Sequence, residues 1–215
     1  MKYKNIYFDF DGTLVNTVEG TAKSAKFALE KFGVNTEEIE DIGRIFCGPP
    51  LYDSFSKFLT SEEEIQTAIY NYKKYQKENT IELSKIYDGV EELLKKLKNS
   101  GANLSVVTIK NRETVIKILK YLDIYKYFDL VTGMCEQFPK QDKKEMLKFI
   151  TKDVDLSKSI IIGDRKSDIN AGKYCNIDTI AVLYGMDDKE TLASANPTYF
   201  VEKSEEILKI ILQDI

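Results

Sequence analysis

The stretch Lys4-Asn5-Ile6-Tyr7-Phe8-Asp9-Phe10-Asp11-Gly12-Thr13-Leu14 decides how this chain folds. Ile6, Tyr7, Phe8 and Phe10 form a short apolar run of strand-forming types, and Asp11-Gly12-Thr13 ends it where glycine permits a sharp turn. Asp9 and Asp11 therefore stand at the carboxyl end of a buried strand, the edge at which open α/β sheets bind ligands. The fixed residues of Asp-x-Asp-Gly-Thr would arise by chance in on the order of one chain in several hundred, which argues against a merely acidic turn.

The arrangement recurs in Ile160-Ile161-Ile162-Gly163-Asp164-Arg165-Lys166-Ser167-Asp168, a very apolar strand that ends in Gly-Asp and offers a second carboxylate four residues on. Read alone, Asp164 could be a helix N-cap. Beside Asp9 and Asp11, a strand that ends in acids points to a cation. A third strand, Leu104-Ser105-Val106-Val107-Thr108, closes on a hydroxyl that can donate to an anionic oxygen, with backbone N–H groups of the next helix start close by.

Between the first strand and Tyr87 the pattern is helical. Val18, Ala22, Ala25, Leu29 and Phe32 recur at spacings of four and three, Thr36 precedes a segment through Ile39, Ile42 and Ile45, and Ser61-x-x-Glu64 reads as a capping box opening Ile65 to about Tyr75. From Asp88-x-x-Glu91 onward strands and helices alternate: a helix through Leu97, a strand to Thr108, a helix from Asn111 to Leu122, strands at 128–132, 159–163 and 179–183, and a helix at 143–150. Such alternation implies right-handed crossovers and a doubly wound parallel α/β sheet. The expected organisation is a split core of residues 1–14 and 86–215 around an inserted all-helical domain of residues 15–85.

The chain has 215 residues, enough for one core with a small insertion, and its 43% hydrophobic and 31% charged residues are ordinary soluble usage. No apolar run is long enough for a membrane span, and the start lacks a secretory pattern, so a cytoplasmic location and no membrane partner are expected. Three separated cysteines form no Cys-x-x-Cys pair, and a net charge of −4 with interspersed signs predicts no nucleic-acid partner. Lys73, Lys74 and Lys77 read as a solvated helix face. The total absence of histidine excludes Ser-His-Asp and Cys-His triads and His-ligated zinc. The chemistry must use carboxylates, lysine, hydroxyls or a hard, oxygen-bound metal.

The three strand ends resemble the successive signature motifs of the haloacid dehalogenase superfamily, and the insertion resembles its helical cap; the resemblance spans essentially the whole chain. It implies a Rossmann-like core and a phosphatase in which Asp9 attacks phosphorus to give an aspartyl phosphate. Asp11 then serves as acid and base, and an acid at that position excludes close dehalogenase chemistry. It implies a Mg2+ cofactor held by Asp9, the Asp11 carbonyl and Asp164, with Asp168 nearby, and phosphoryl contacts from Thr108, Thr13 and Ile109. It also implies a lysine that joins Asp9 to the phosphate. Of the lysines in Pro139-Lys140-Gln141-Asp142-Lys143-Lys144, the register selects Lys143 ahead of Lys140. Lys110 and Arg165 adjoin motif residues and read equally well as exposed.

Cys47-Gly48-Pro49-Pro50-Leu51 resembles the loop of phosphoglycolate-phosphatase-like members, with an ordinary Pro-fixed turn as the alternative. With Arg44 it makes Gly48 and Pro49 candidate substrate contacts. The expected activity is hydrolysis of a small phosphorylated metabolite by a monomer or weak homodimer. The alternatives are a β-phosphoglucomutase-like phosphotransferase, a 5'-nucleotidase or pyrophosphatase, and a non-catalytic phosphate-ligand-binding module.

Overall fold

The computed structural model describes residues 1–135, 138 and 142–212. The chain divides into two compact units, Met1–Val15 with Ile86–Ile215, and Asn16–Lys85. Two short strands, β2 (Val15–Asn16) and β3 (Lys85–Ile86), carry the passages from one unit to the other. Among the described residues no helix is long and apolar enough to cross a membrane.

The first unit is built on a six-stranded sheet of β1 (Asn5–Phe8), β4 (Asn103–Asn111), β5 (Leu130–Met134), β6 (Ser159–Gly163), β7 (Asp178–Val182) and β8 (Tyr199–Val201). The order across the sheet is β5-β4-β1-β6-β7-β8, and every pairing within it is parallel. With the two linking strands set aside, this is the 3-2-1-4-5-6 order of doubly wound sheets. The strand order reverses at β1, which pairs with β4 on one side and, on the other, with β6, which the chain reaches only after β5. Side chains at those three carboxyl ends must face a common crevice.

The central strands are apolar along their length because helices cover both faces. All four residues of β1 and all five of β6 are buried. Tyr7, Val107 and Ile161 point to one face, where they pack with Met146 and Leu147 of α7 (Lys143–Ile150) and Ala171 of α8 (Lys166–Tyr174). Helices α5 (Val90–Asn99), α6 (Arg112–Tyr121), α9 (Lys189–Ser194) and α10 (Ser204–Leu212) complete the layers, with α10 packed on α5.

The start of α5 differs from expectation. Gly89, in the left-handed region at φ 75°, caps α5, while Asp88 offers its backbone carbonyl to Ser204 Oγ at 2.7 Å. Strand β8 and helices α9 and α10 are additional to the elements expected from the sequence. Asn111 does cap α6, its side chain accepting from Thr114 N at 3.1 Å.

The second unit comprises α1 (Val18–Glu30), α2 (Ile42–Phe46), α3 (Leu51–Phe55) and α4 (Glu62–Asn79). Its core is its own: Ala25, Ala28 and Leu29 of α1 meet Phe46 of α2, Phe55 of α3, and Ile65, Ala68 and Tyr72 of α4. Phe46 centres it, its ring 4.7 Å from Phe55 and 6.1 Å from Tyr72. The segment after Thr36 is not one helix, because Asp41 takes a left-handed φ of 49° between a 3-10 turn at Thr36–Glu38 and α2. Ser61 stands at the N-cap of α4 but its hydroxyl makes no capping bond. Lys73, Lys74 and Lys77 are exposed.

Candidate active site

Asp9 continues the β1 ladder, its N–H donating to the Ile162 carbonyl at 2.9 Å. The chain then turns within a few residues, with Leu14 N and Val15 N both donating to the Phe10 carbonyl at 3.1 and 3.0 Å. Gly12 makes the turn possible twice over. Its φ of 82° is left-handed, and a Cβ there would overlap the Asp164 carboxylate. Gly185, on the loop after β7, approaches Asp164 from another direction, and a Cβ there would likewise overlap it. Asp164 is thus wedged between two glycines that lie far from it in sequence.

Both Asp164 oxygens are engaged. Oδ1 accepts from Thr13 Oγ1 at 3.0 Å and Oδ2 from the Met186 N–H at 2.9 Å. Asp168 is a turn into α8, where Oδ2 accepts from the Arg165 N–H at 3.0 Å and Oδ1 pairs with Lys143 Nζ. Lys143 opens α7, behind the Asp142 cap, and its Nζ also lies 2.7 Å from Asp9 Oδ1. That contact is close but off-line: Asp9 Oδ1 is buried and receives no well-directed hydrogen bond. Oxygens of Asp9, Asp164 and Asp168 lie within 4.8 Å of one another, all on buried residues.

The electrostatics follow from packing three carboxylates around one ammonium in a dry site. Burial first, and then the Asp168 charge, push the Asp9 carboxyl up to about 7 against the opposing pull of Lys143. Burial and the charges of Asp9 and Asp168 hold Asp164 well above the carboxylate range. Burial alone would lower Lys143, but Asp168 and Asp9 outweigh it and leave the ammonium firmly charged. One lysine is too little countercharge. An all-oxygen cluster with excess negative charge and a buried oxygen lacking a directed donor fits a hard divalent cation.

Asp11 is set apart from this cluster. Lys110 Nζ contacts both of its oxygens, at 2.9 and 3.2 Å. Lys110 follows Thr108 and Ile109 on β4, where the register against β5 shifts between Val107 and Asn111 and the Lys110 N–H donates to Thr108 Oγ1 at 3.2 Å. Such irregularities next to ligand sites re-aim side chains. Thr108 is buried and Ile109 half-buried on this strand.

The site residues expected from the sequence therefore separate into groups. Asp9, Asp164, Asp168 and Lys143 come together, with Thr13 holding Asp164. Asp11 stands beside them on Lys110, and Thr108 and Ile109 lie on the adjoining strand. Arg44, Gly48 and Pro49 belong to the helical unit, Arg44 exposed on α2 and Gly48 in the left-handed region at φ 111°. Lys140 lies outside the described residues. The sequence reading missed the partner of Lys110 and the loop after β7. On that loop Tyr184 Oη donates to the Thr13 carbonyl at 3.0 Å, and Asp187 N–H donates to the Asp164 carbonyl at 3.3 Å. The Asp187 carboxylate accepts from Arg165 Nη1 at 3.3 Å and from the Lys166 N–H at 2.9 Å. The only local signal for this loop is a glycine and an acid just past an apolar strand.

Residues 6–182 match the family model described as haloacid dehalogenase-like hydrolase. The chain belongs to this family. Pyrophosphatase PpaX of Bacillus velezensis is 33% identical over 207 residues, covering 95% of this chain and 94% of that protein. The crystal structure of a predicted phosphatase from Clostridium acetobutylicum is 33% identical with a TM-score of 0.89, covering 99% of each chain. A haloacid dehalogenase-like family hydrolase from Streptococcus pneumoniae is 29% identical with a TM-score of 0.88, covering 97% of this chain and 98% of its own. The chain is thus a phosphatase of the haloacid dehalogenase family, a hydrolase of phosphoric esters.

Proposed function

We propose that the protein hydrolyses the phosphoryl group of a small phosphorylated metabolite through a phosphorylated Asp9, with Mg2+ as cofactor. The observation that carries this reading is the buried Asp9 carboxylate, pinned by Lys143 yet with Oδ1 lacking a directed hydrogen bond, at the carboxyl edge where β1, β4 and β6 converge. Asp9 attacks phosphorus and the leaving oxygen departs, protonated by Asp11. Asp11 then takes a proton from the water that cleaves the acyl phosphate, releasing inorganic phosphate and restoring Asp9. Lys143 favours the anionic form of Asp9 without by itself securing it and holds the carboxylate within reach of the transferring group, and Thr108 supplies a hydroxyl donor from β4. Asp9, Asp164, Asp168 and the Asp11 carbonyl would hold the Mg2+, which when bound offsets the repulsion between phosphate and carboxylates.

Inorganic pyrophosphate is the first substrate to try, because a relative of 33% identity bears the name pyrophosphatase. Phosphoglycolate is the second, because the Gly48-Pro49 loop resembles that of phosphoglycolate-phosphatase-like members. The test is phosphate release from a panel of pyrophosphate, phosphoglycolate, sugar phosphates and nucleoside monophosphates, with and without Mg2+. The reading requires release that depends on metal and falls at least about a thousandfold in D9N, as expected when a covalent nucleophile is removed. Release undiminished in D9N overturns the mechanism. Isomerisation of a sugar phosphate without net release would identify a mutase.

A further inference from the structure

From the Asp11–Lys110 pair we infer that Lys110 is a specificity-determining residue, which selects substrates whose leaving group carries a second anionic group beside the scissile oxygen. This rests on the hydrolase reading above and narrows it to a substrate class.

Two sets of charges occupy the carboxyl edge, and they differ in depth. The side chains of Asp9 and Lys143 are each 7% exposed and Asp168 0%, whereas Lys110 is 11% and Asp11 15% exposed. The inner set holds the reacting phosphoryl group. The outer pair faces the side from which a leaving group departs, since Asp11 is the residue that protonates the leaving oxygen. Atoms next to that oxygen must pass within about one hydrogen-bond length of Asp11, and therefore of the ammonium that spans both its oxygens at 2.9 and 3.2 Å.

The charge balance then discriminates among leaving groups. Four carboxylates, Asp9, Asp11, Asp164 and Asp168, surround two lysines at this edge. A further anion brought beside Asp11 meets repulsion unless a cation at that point can turn to it. Lysine suits the task, because its ammonium is a compact point charge with three donors on a flexible stem. It can keep one hydrogen bond to Asp11 while giving another to the incoming anion. A neutral leaving group gains nothing from it. The shift in β4 register that carries Lys110 toward Asp11 is the structural device that aims it there. Two chemistries share this signature, the second phosphate of a pyrophosphate and the carboxylate of a phosphorylated hydroxy acid.

The experiment pairs each anionic substrate with a neutral counterpart: pyrophosphate with methyl phosphate, and phosphoglycolate with 2-hydroxyethyl phosphate. In K110M the preference for the anionic member, as a ratio of kcat/KM values, should fall about tenfold or more, chiefly through KM, as for loss of a charged hydrogen bond. K110R should restore most of it. The pair with the larger loss tells whether phosphate or carboxylate is read. Equal losses on both members of each pair would show that Lys110 merely supports Asp11 and would overturn the inference. The D9N protein with Mg2+ separates the two readings, because it compares binding of methylenediphosphonate and methylphosphonate by calorimetry without turnover. Loss of the diphosphonate preference on adding K110M supports the charge-reading role even if the hydrolase reading fails, and an unchanged preference overturns it.

Discussion

Asp9 carries the tension of the site in a single carboxyl group. Its pKa, pushed up from an ordinary 3.8 to about 7, means that the metal-free folded protein retains a proton the unfolded chain has already released between about pH 4 and pH 7. The stability tied to this group is therefore fully present below about pH 4 and is lost as pH rises through 7, with a slope of at most about 1.4 kcal/mol per pH unit. D9N abolishes the titration. Urea unfolding without metal should show D9N gaining stability relative to wild type as pH is raised from 4 to 8. A difference that stays flat across that range would mean that Asp9 is not the strained group.

At the scale of elements, the loop between β7 and α9 acts as a clamp on the turn that carries Asp164. Met186 and Asp187 hold Asp164 through their N–H groups, the Asp187 carboxylate binds Arg165 and the α8 backbone at Lys166, and Tyr184 anchors the Thr13 carbonyl. None of these residues is itself one of the three clustered acids, so on the proposed Mg2+ reading they would orient its ligands as an outer layer. Replacing Asp187 by alanine should weaken Mg2+ binding by roughly 10–100-fold, the usual effect of losing such a partner. Calorimetric titration of Mg2+ into the two proteins measures it. An unchanged dissociation constant would reduce Asp187 to a helix-start contact.

For the whole molecule, the organisation keeps chemistry and insertion in separate cores. The chain leaves the sheet-bearing unit after Val15 and returns at Ile86, and the helical unit closes its own core around Phe46. The buried acids remain a destabilising concentration of charge within the sheet-bearing unit, which bound cation would relieve. Mg2+ at a hundred times its dissociation constant should stabilise the protein by about 2.7 kcal/mol. Denaturant unfolding with and without Mg2+ reads this directly, and D164N should lose most of the gain. A wild-type protein indifferent to saturating Mg2+, or a D164N protein that gains as much, would contradict the assignment of the cluster as its site.

The sequence by itself determined the fold class and the types of residue at three strand ends. Apolar run length, helical spacing and a turn-forming glycine are local properties that a stretch such as Lys4–Leu14 carries in full. Tertiary structure alone decided who meets whom. Lys110 and Arg165 looked alike beside their motifs, yet one spans the Asp11 carboxylate and the other joins Asp187. Asp164 needs Gly12 and Gly185 as neighbours only because the strand order sets β1 beside β6 and β6 beside β7. Partners across strands are set by register and strand order, which depend on how the whole sheet buries its apolar faces, and no local pattern encodes that.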